Sequence, residues 1–368
     1  MGGKIGVGDA VVALFGKAGE TDGETPAPII AEPEAERGEL LATLACGQTL
    51  HGLAAGDLDL ARETRGWRKE GYARIVNARA GDTPGGVFSV RSGDGTCSHI
   101  ILVSGRSGAV SAVVCPPDRP APLGSPSEIG RVLTGMGISL GEQSQAFAAL
   151  RDRHGELHFA DALPERLEMS QSACIQSPVP VRLPKAIVSV ADLLFMNTAF
   201  GRGAHSISVD GPLWMSECSG VVLPAHLNVG VDLSLQMSDT AELPMRFSVG
   251  RDLDISHTPV AELPGTFHVG RNIIANGSAL ERLNGGMTVR GDLDLRNCPV
   301  KRLPWGLEVA GNLDLSGTPV TSVPPDCRVN GNLMVEEGVE VPPSAVIGGR
   351  LLYARDFGYE VVLRERAR

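Results

Sequence analysis

Cys97 and His99 are the residues whose types and spacing come nearest to a catalytic arrangement. Residues two apart on a β-strand point to the same face of the sheet, so the pattern predicts a thiol and an imidazole side by side. Such a pair could supply a thiolate nucleophile. Cysteine nucleophiles usually take their base from a distant part of the sequence. We therefore expect structural roles for both residues and keep a cysteine-dependent enzyme as an alternative.

The other candidates for chemistry are weaker. Cys46 and His51 are further apart than Cys97 and His99. His154 and His158 could hold a metal ion on one face of a helix, but Gly155 between them favours a helix end. The seven cysteines contain no Cys-x-x-Cys pair and their number is odd, so neither a disulfide framework nor a zinc site is expected. We therefore expect no catalytic residue, no metal and no cofactor.

The composition limits the elements that could position these residues. The 368 residues include 46 Gly and 25 Pro, and 42% are hydrophobic although only 4% are aromatic. The core must therefore be aliphatic and the chain must turn often. Both features disfavour a helical bundle, because Gly and Pro are the costliest residues in a helix.

Charge and hydropathy limit the partners and the compartment. The net charge of −10 argues against nucleic-acid binding, which needs a basic surface. No apolar stretch reaches the roughly 18 residues of a membrane-spanning helix, and residues 1–20 lack the cleavage site of a secretory signal. We expect a protein partner and a cytoplasmic location, with secretion without a cleavable signal peptide as the alternative.

The strongest pattern is a repeat with a period of 20 residues that begins at Leu163. Its marker is the dipeptide Leu-Pro, which starts at residues 163, 183, 223, 243, 263 and 303. Leu283-Asn284 and Val323-Pro324 keep the phase, and only Gly203-Ala204 loses it. A fixed period of this length indicates a solenoid. Each coil is numbered below from the residue in the place of that Leu, and is named by the residue number of its position 1.

Apolar residues recur at positions 5, 7, 11, 13 and 18 of the coils. The first four alternate with polar residues, which is the periodicity of β-strands. Gly-Asp or Gly-Asn at positions 9 and 10 predicts a bend between two short strands. Position 16 is always Thr, Ser or Cys from Thr198 to Thr318, which suits a buried turn whose backbone groups are satisfied by side chains.

The stretch Leu313-Asp-Leu-Ser-Gly-Thr-Pro-Val-Thr-Ser-Val-Pro324 resembles a leucine-rich repeat, LxLxxNxLxxLP, with Thr, Ser or Cys in place of Asn. The 20-residue length and the Leu-Pro dipeptide are similar to the short repeats of secreted bacterial effectors. An extra apolar residue stands at position 7, where the family has it at position 8. A single-strand horseshoe and a parallel β-helix-like coil therefore both remain open. The resemblance implies an effector whose repeats target a host protein as an alternative function.

Positions 10, 12 and 14 would face solvent if positions 10 to 14 form the exposed strand. The beginning of that face is apolar and the rest is acidic. The candidate partner-binding residues are Leu194, Met196, Trp214, Asp232, Asp252, Asp254, Asp292, Asp294 and Asp314. The row of Asp is interpreted as a solvated face that prevents sheet-to-sheet association or as a docking surface for a basic partner. A calcium ladder is disfavoured because stacked single carboxylates lack the six to eight oxygens that calcium binds.

The sequence predicts a mostly β fold with four parts. These are a flexible acidic leader over 1–37, a small α+β domain over 38–160, a leucine-rich-like or β-solenoid region of about nine repeats over 161–352, and a C-terminal cap over 353–368. The predicted elements outside the repeats are a helix over Gly38–Cys46, strands of an antiparallel meander over Tyr72–Ala78, Gly86–Arg91, His99–Ser104 and Ala109–Cys115, helices over about 126–136 and 141–153, and a terminal strand pair over Leu351–Tyr353 and Tyr359–Leu363.

No strong catalytic pattern accompanies this architectural one. We therefore expect a non-catalytic interaction or scaffold protein that binds a partner protein through the exposed face of the solenoid.

Overall fold

A computed structural model describes residues 38–53, 60, 63–64, 67, 75, 84–116, 123–177, 180–354 and 362–363. The described chain is mostly β-structure, as predicted. It forms two compact units, one of Met1–Ala121 with Arg131–Gln143 and one of Pro122–Gly130 with Ser144–Arg368. Within the described residues, we find no helix with the length and apolar character needed to cross a membrane.

The first unit is built on an antiparallel meander, which confirms the predicted topology. The strands, in sheet order, are β1 (Glu39–Thr43), β2 (Thr49–Leu53), β3 (Pro84–Arg91), β4 (Cys97–Ser104) and β5 (Val110–Val114). One face of this sheet is covered by an aliphatic cluster of Leu60, Trp67, Ile75, Val87, Ile100, Leu102 and Val114.

Two predicted elements of this unit differ from the structure. The predicted helix over Gly38–Cys46 is wrong, because this segment contains β1, which pairs with β2 across a turn at Leu44–Gln48. Gly47 has a φ of 81° in that turn, a conformation that suits glycine. Tertiary pairing thus overrides the helix propensity of Leu and Ala. Of the predicted strand Tyr72–Ala78 only Ile75 is described, and it is helical and buried.

The segment before the solenoid is partly helical. Helix α1 (Pro126–Gly135) begins where the sequence predicts it, and the Ile129 N–H donates to the Ser125 carbonyl at 3.1 Å. The predicted helix over 141–153 is wrong. A 3₁₀-helix covers Gly141–Phe147, and a hairpin of Ala149–Arg151 with Leu157–Phe159 follows. Gly141 and Ala148 both have positive φ, so neither can sit inside an α-helix.

Each solenoid coil carries two short parallel strands. Positions 4 to 7 form the first sheet, with strands Arg166–Met169, Ala186–Ser189, Ser206–Val209, His226–Val229, Phe247–Val249 and His268–Val269, and, as a separate group, Thr288–Val289, Glu308–Val309, Arg328–Val329 and Val346–Ile347. Positions 11 to 14 form the second sheet, with strands Ala173–Ile175, Leu193–Met196, Leu213–Ser216, Leu233–Ser234, Leu253–Asp254, Ile273–Ile274, Leu293–Asp294, Leu313–Asp314, Leu333–Glu336 and Leu351–Ala354. A shorter pair, Val181–Arg182 with Phe200–Arg202, lies on a third side.

This arrangement is a β-solenoid of about nine coils. The extra apolar column at position 7 is the reason for a second strand in each coil, and it decides against the single-strand horseshoe. Partners are 20 residues apart, as in Leu233 opposite Leu253. The predicted aliphatic columns form one continuous buried core. Parallel strands spaced at roughly 4.8 Å place equivalent side chains on top of one another.

The turns between strands follow the predicted pattern and add one feature. The Thr258 and Thr318 hydroxyls of position 16 each donate to a backbone carbonyl three residues earlier at 2.6 Å. The bend falls at positions 8 to 10, where stacking leaves no room for a side chain. A Cβ on Gly250 would lie 1.9 Å from the Gly230 carbonyl oxygen. The sequence analysis missed position 15, which has positive φ in most coils, even where His257 occupies it.

The last coil is shorter and is capped. Leu351 pairs with Leu333, an offset of 18 residues in place of 20. The strand Leu351–Ala354 also pairs antiparallel with Val362–Leu363, which confirms the predicted terminal strand pair. An antiparallel strand cannot continue the parallel stack, so this pairing ends the solenoid.

Candidate functional site

An apolar patch of Leu194, Met196 and Trp214 lies on the outward face of the second sheet. Positions 11 and 13 are buried, so positions 10, 12 and 14 point outward. Leu194 and Trp214 are direct partners in neighbouring strands, and Met196 lies on the same strand as Leu194. Met196 is 47% exposed and Trp214 is 42% exposed. The expected cluster of large apolar side chains at the start of this face is therefore present.

The carboxylates of position 10 form a ladder of hydrogen bonds between coils. In each step, the side-chain oxygen of one coil accepts the backbone N–H of position 10 in the next coil, or of Arg350 in the last step. The acceptors are Asp232, Asp252, Asn272, Asp292, Asn312 and Asn332, with distances from 2.6 to 3.1 Å. Asp232, Asp252 and Asp292 therefore stabilise the stack itself, and Asn serves equally because it offers the same oxygen.

The acids of position 12 are also engaged. Asp254, Asp294 and Asp314 each accept the backbone N–H of the residue two positions later, at 2.8 to 3.0 Å. The Arg296 guanidinium lies between two of them, 2.6 Å from Asp294 Oδ2 and 3.7 Å from Asp314 Oδ2. These contacts fix the turn that follows the strand.

Arginines neutralise part of the ladder from the neighbouring coil. Arg251 Nε lies 3.5 Å from Asp232 Oδ1, and Arg271 forms a two-pronged ion pair with Asp252. The hydrogen bond from Arg271 lowers the pKa of Asp252 from its usual value. The acidic row is thus less available to a basic partner than its composition suggests.

Two acids beside the apolar patch are different. Position 10 of the coil after Asp192 is Pro212, which has no N–H to donate, so Asp192 stands outside the ladder. Among the described residues, the side chains of Asp192 and Glu217 make no hydrogen bond and no ion pair. Glu217 is exposed, three residues after Trp214. These two carboxylates are the free negative charges next to the patch. The break at Pro212 is the sequence signal that could have identified the first of them.

Cys97 and His99 do not form the predicted pair. Ser98 is an extra residue in β4, because Val90 pairs with His99 and Arg91 with Cys97. This β-bulge puts the two side chains on opposite faces of the sheet. Cys97 Sγ accepts from the Ser89 hydroxyl at 3.6 Å, and burial raises the pKa of Cys97 to about 12. The expectation that both share one face is wrong.

A buried ion pair lies on the Cys97 side of the same sheet. Arg91 pairs with Glu63, and the Ser89 hydroxyl donates to Glu63 Oε1 at 2.8 Å. Arg91 Nη1 also lies 3.2 Å from His51 Nδ1. A guanidinium can only donate, so Nδ1 accepts and the proton of the neutral ring is on Nε2, 3.0 Å from Thr49 Oγ1. Burial, and then Arg91, lower the pKa of His51.

The hairpin before the solenoid gathers three potential metal ligands, Asp152, Glu156 and His158, whose ligand atoms lie within 4.8 Å of one another. Asp152 Oδ1 already accepts the backbone N–H groups of His154 and Glu156 at 2.8 and 2.9 Å. His158 Nε2 lies 3.3 Å from Asp152 Oδ2. The group is therefore accounted for by the turn of the hairpin. His154 lies in that turn and His158 on a strand, so the helix that would have aligned them is not formed.

Comparison of the chain with known protein families, with curated proteins and with solved structures finds no match.

Proposed function

We propose that the chain is a non-catalytic interaction protein that binds a partner protein through the second-sheet face of its solenoid. The observation that carries the proposal is the apolar patch. Large side chains that are exposed together on a rigid parallel sheet suit a contact with another protein, because Trp and Met are enriched in interface cores. A solenoid buries its own core by stacking and leaves a long face for a partner.

The free charges beside the patch specify the partner. Asp192 and Glu217 have no partner among the described residues, whereas the acids further along the face bind arginines or backbone N–H groups. The partner is therefore a protein segment with apolar side chains for Leu194 and Trp214 and with basic residues at their edge. This proposal keeps the expected basic partner but moves its contact from the long acidic row to the start of the face.

A photo-crosslinking amino acid in place of Trp214 tests the proposal in the cells that produce the chain. The matched control places the same group at Trp305, which is 69% exposed. We expect one adduct from position 214 that disappears when Leu194→Asp is added and persists with Val346→Asp. Adducts that are the same from both positions, or that survive Leu194→Asp, contradict the proposal.

The partner identified in the adduct then allows a quantitative test. Trp214→Ala should weaken binding by about 2 kcal/mol or more, the usual size for a central interface residue. Asp192→Asn should weaken binding and reduce its dependence on salt, because it removes an unpaired charge. Asp252→Asn is the control, since Arg271 already pairs with that carboxylate. Equal effects of the two Asn variants would exclude a specific role for Asp192.

The effector hypothesis rests on the similarity of the repeats to those of secreted bacterial effectors. Similarity of repeats concerns fold and not activity. The hypothesis stays a prediction, and it requires that residues 1–40 direct export of a translocation reporter.

A further inference from the structure

The first sheet carries a group of polar side chains that are not used by the fold. Positions 5 and 7 are buried, so positions 4 and 6 point outward. In three successive coils these positions form a donor patch, which consists of Ser206, Ser208, His226, Asn228, Arg246 and Ser248. The register joins them directly, since Ser206 is opposite His226, Ser208 opposite Asn228, and Asn228 opposite Ser248.

No side chain of the donor patch makes a hydrogen bond or an ion pair within the described part of the chain. This contrasts with the second sheet, where the polar side chains of positions 10 and 12 are bonded in most coils. Each member can donate a hydrogen bond, and Arg246 carries a permanent positive charge. No carboxylate occurs at positions 4 or 6 from coil 183 to coil 263. The patch is therefore chemically suited to an anion.

An open groove of about 1090 Å³ runs beside the donor patch. Its apolar lining includes Val222, Leu223 and Met245. Val222 is 65% exposed and Met245 is 78% exposed. The volume is at the upper end of the range for small-molecule sites, about 300–1,000 Å³. A few polar groups next to an apolar surface are the usual composition of such sites.

The groove coincides with the one irregular stretch of the repeat. Position 1 is Gly203 where the other coils have Leu or Val, and position 18 is Gly220 and then Thr240 where later coils have Val or Leu. These columns therefore lose their large aliphatic side chains in coils 203 and 223. The opposite margin carries Asp239 and Glu242. Asp239 is held there by the backbone N–H groups of Gly220 and Val221, at 2.6 and 3.0 Å.

We infer that this groove is a binding site for a small amphipathic anion, with its headgroup on the donor patch and its aliphatic chain in the groove. Arg246, with His226 beside it, receives the headgroup. The carboxylates of Asp239 and Glu242 on the far margin disfavour the reverse orientation. This site lies on a different sheet from the apolar patch and does not depend on the proposed partner. The shared ligand chemistry is one anionic group on an alkyl chain, which a fatty acid or an alkyl phosphate provides.

Calorimetric titration of the full chain with three probes tests the inference. The probes are decanoate, decyl phosphate and decyltrimethylammonium, each below the concentration at which it forms micelles. We expect saturable binding of at least one of the two anions and none of the cation. Decanoate alone would identify a fatty carboxylate, and decyl phosphate alone would identify a phosphate headgroup. Equal binding of the cation, or no binding of either anion, overturns the inference.

Matched variants locate the site. Arg246→Gln should weaken binding about tenfold, the effect of losing roughly one charge-assisted hydrogen bond, whereas Arg302→Gln, another exposed arginine, should not. Val222→Asp should abolish binding, and Val346→Asp should leave it intact. Circular dichroism of each variant checks that the solenoid is folded. If the control variants lose as much affinity as Arg246→Gln and Val222→Asp, the ligand binds elsewhere and the inference is wrong.

Discussion

Burial controls the chemistry of the Cys97 thiol. Its pKa is raised to about 12, chiefly because the thiolate would be desolvated. The thiol instead donates to the His99 carbonyl oxygen at 3.4 Å. The thiolate is the reactive form of cysteine, so a thiol held protonated at neutral pH is a poor nucleophile. The cysteine-dependent enzyme therefore gains no support from this geometry.

We predict that Cys97 reacts with iodoacetamide far more slowly than Cys46 in the folded protein at neutral pH. Cys46 is exposed and serves as the internal control. Denaturant should make the two rates similar, because unfolding removes the burial. The measurement is peptide mass spectrometry of labelled protein over time. Equal rates in the native state would contradict the burial of Cys97 and would restore the enzyme hypothesis.

At the level of the strand and its bend, the position 10 ladder replaces backbone pairing at the corner of each coil. The bend turns the N–H of position 10 away from strand pairing, and the side-chain oxygen of the previous coil accepts it. Asp292 shows this most clearly, with Oδ1 at 2.6 Å from the Asn312 backbone nitrogen. The acceptor matters here and the charge does not, since Asp and Asn alternate along the ladder.

Asp292→Ala should therefore lower the free energy of unfolding by about 1 kcal/mol, the usual effect of losing one such hydrogen bond. Asp292→Asn keeps the oxygen and should stay within roughly 0.5 kcal/mol of the native protein. Urea denaturation measures both values. A loss of the same size in the two variants would show that the carboxylate acts through its charge.

For the whole molecule, periodicity predicts the solenoid and local propensity predicts the rest less well. Equivalent residues such as Leu233 and Leu253 repeat every 20 positions, so every coil strengthens the same conclusion. The bulge at Ser98 and the strand at Glu39–Thr43 depend on single tertiary contacts that no repeat reports. The same reason explains the candidate sites. The apolar patch follows from the outward positions of the repeat, whereas the donor patch and its groove arise from coils that depart from it.

The two sheets of the solenoid are not equally continuous. The second sheet runs unbroken through every coil from Ala173–Ile175, but the first divides between His268–Val269 and Thr288–Val289. At that point Asn284 replaces the usual Pro, and its side-chain amide donates to the Leu263 and Pro264 carbonyls at 2.9 and 2.7 Å. A side chain thus supplies contacts between coils where, in the described residues, strand pairing is interrupted.

We predict that backbone amides at positions 4 to 7 of coil 283 exchange with solvent faster than those of coil 303. Strand pairing is one-sided in the former, since Thr288–Val289 pairs only with Glu308–Val309, while the latter pairs on both sides. Local opening needs fewer broken bonds where pairing is one-sided. Hydrogen–deuterium exchange of peptides covering residues 286–290 and 306–310 compares equivalent sites in one molecule. Equal protection would mean that the Asn284 contacts fully compensate for the missing strand pair.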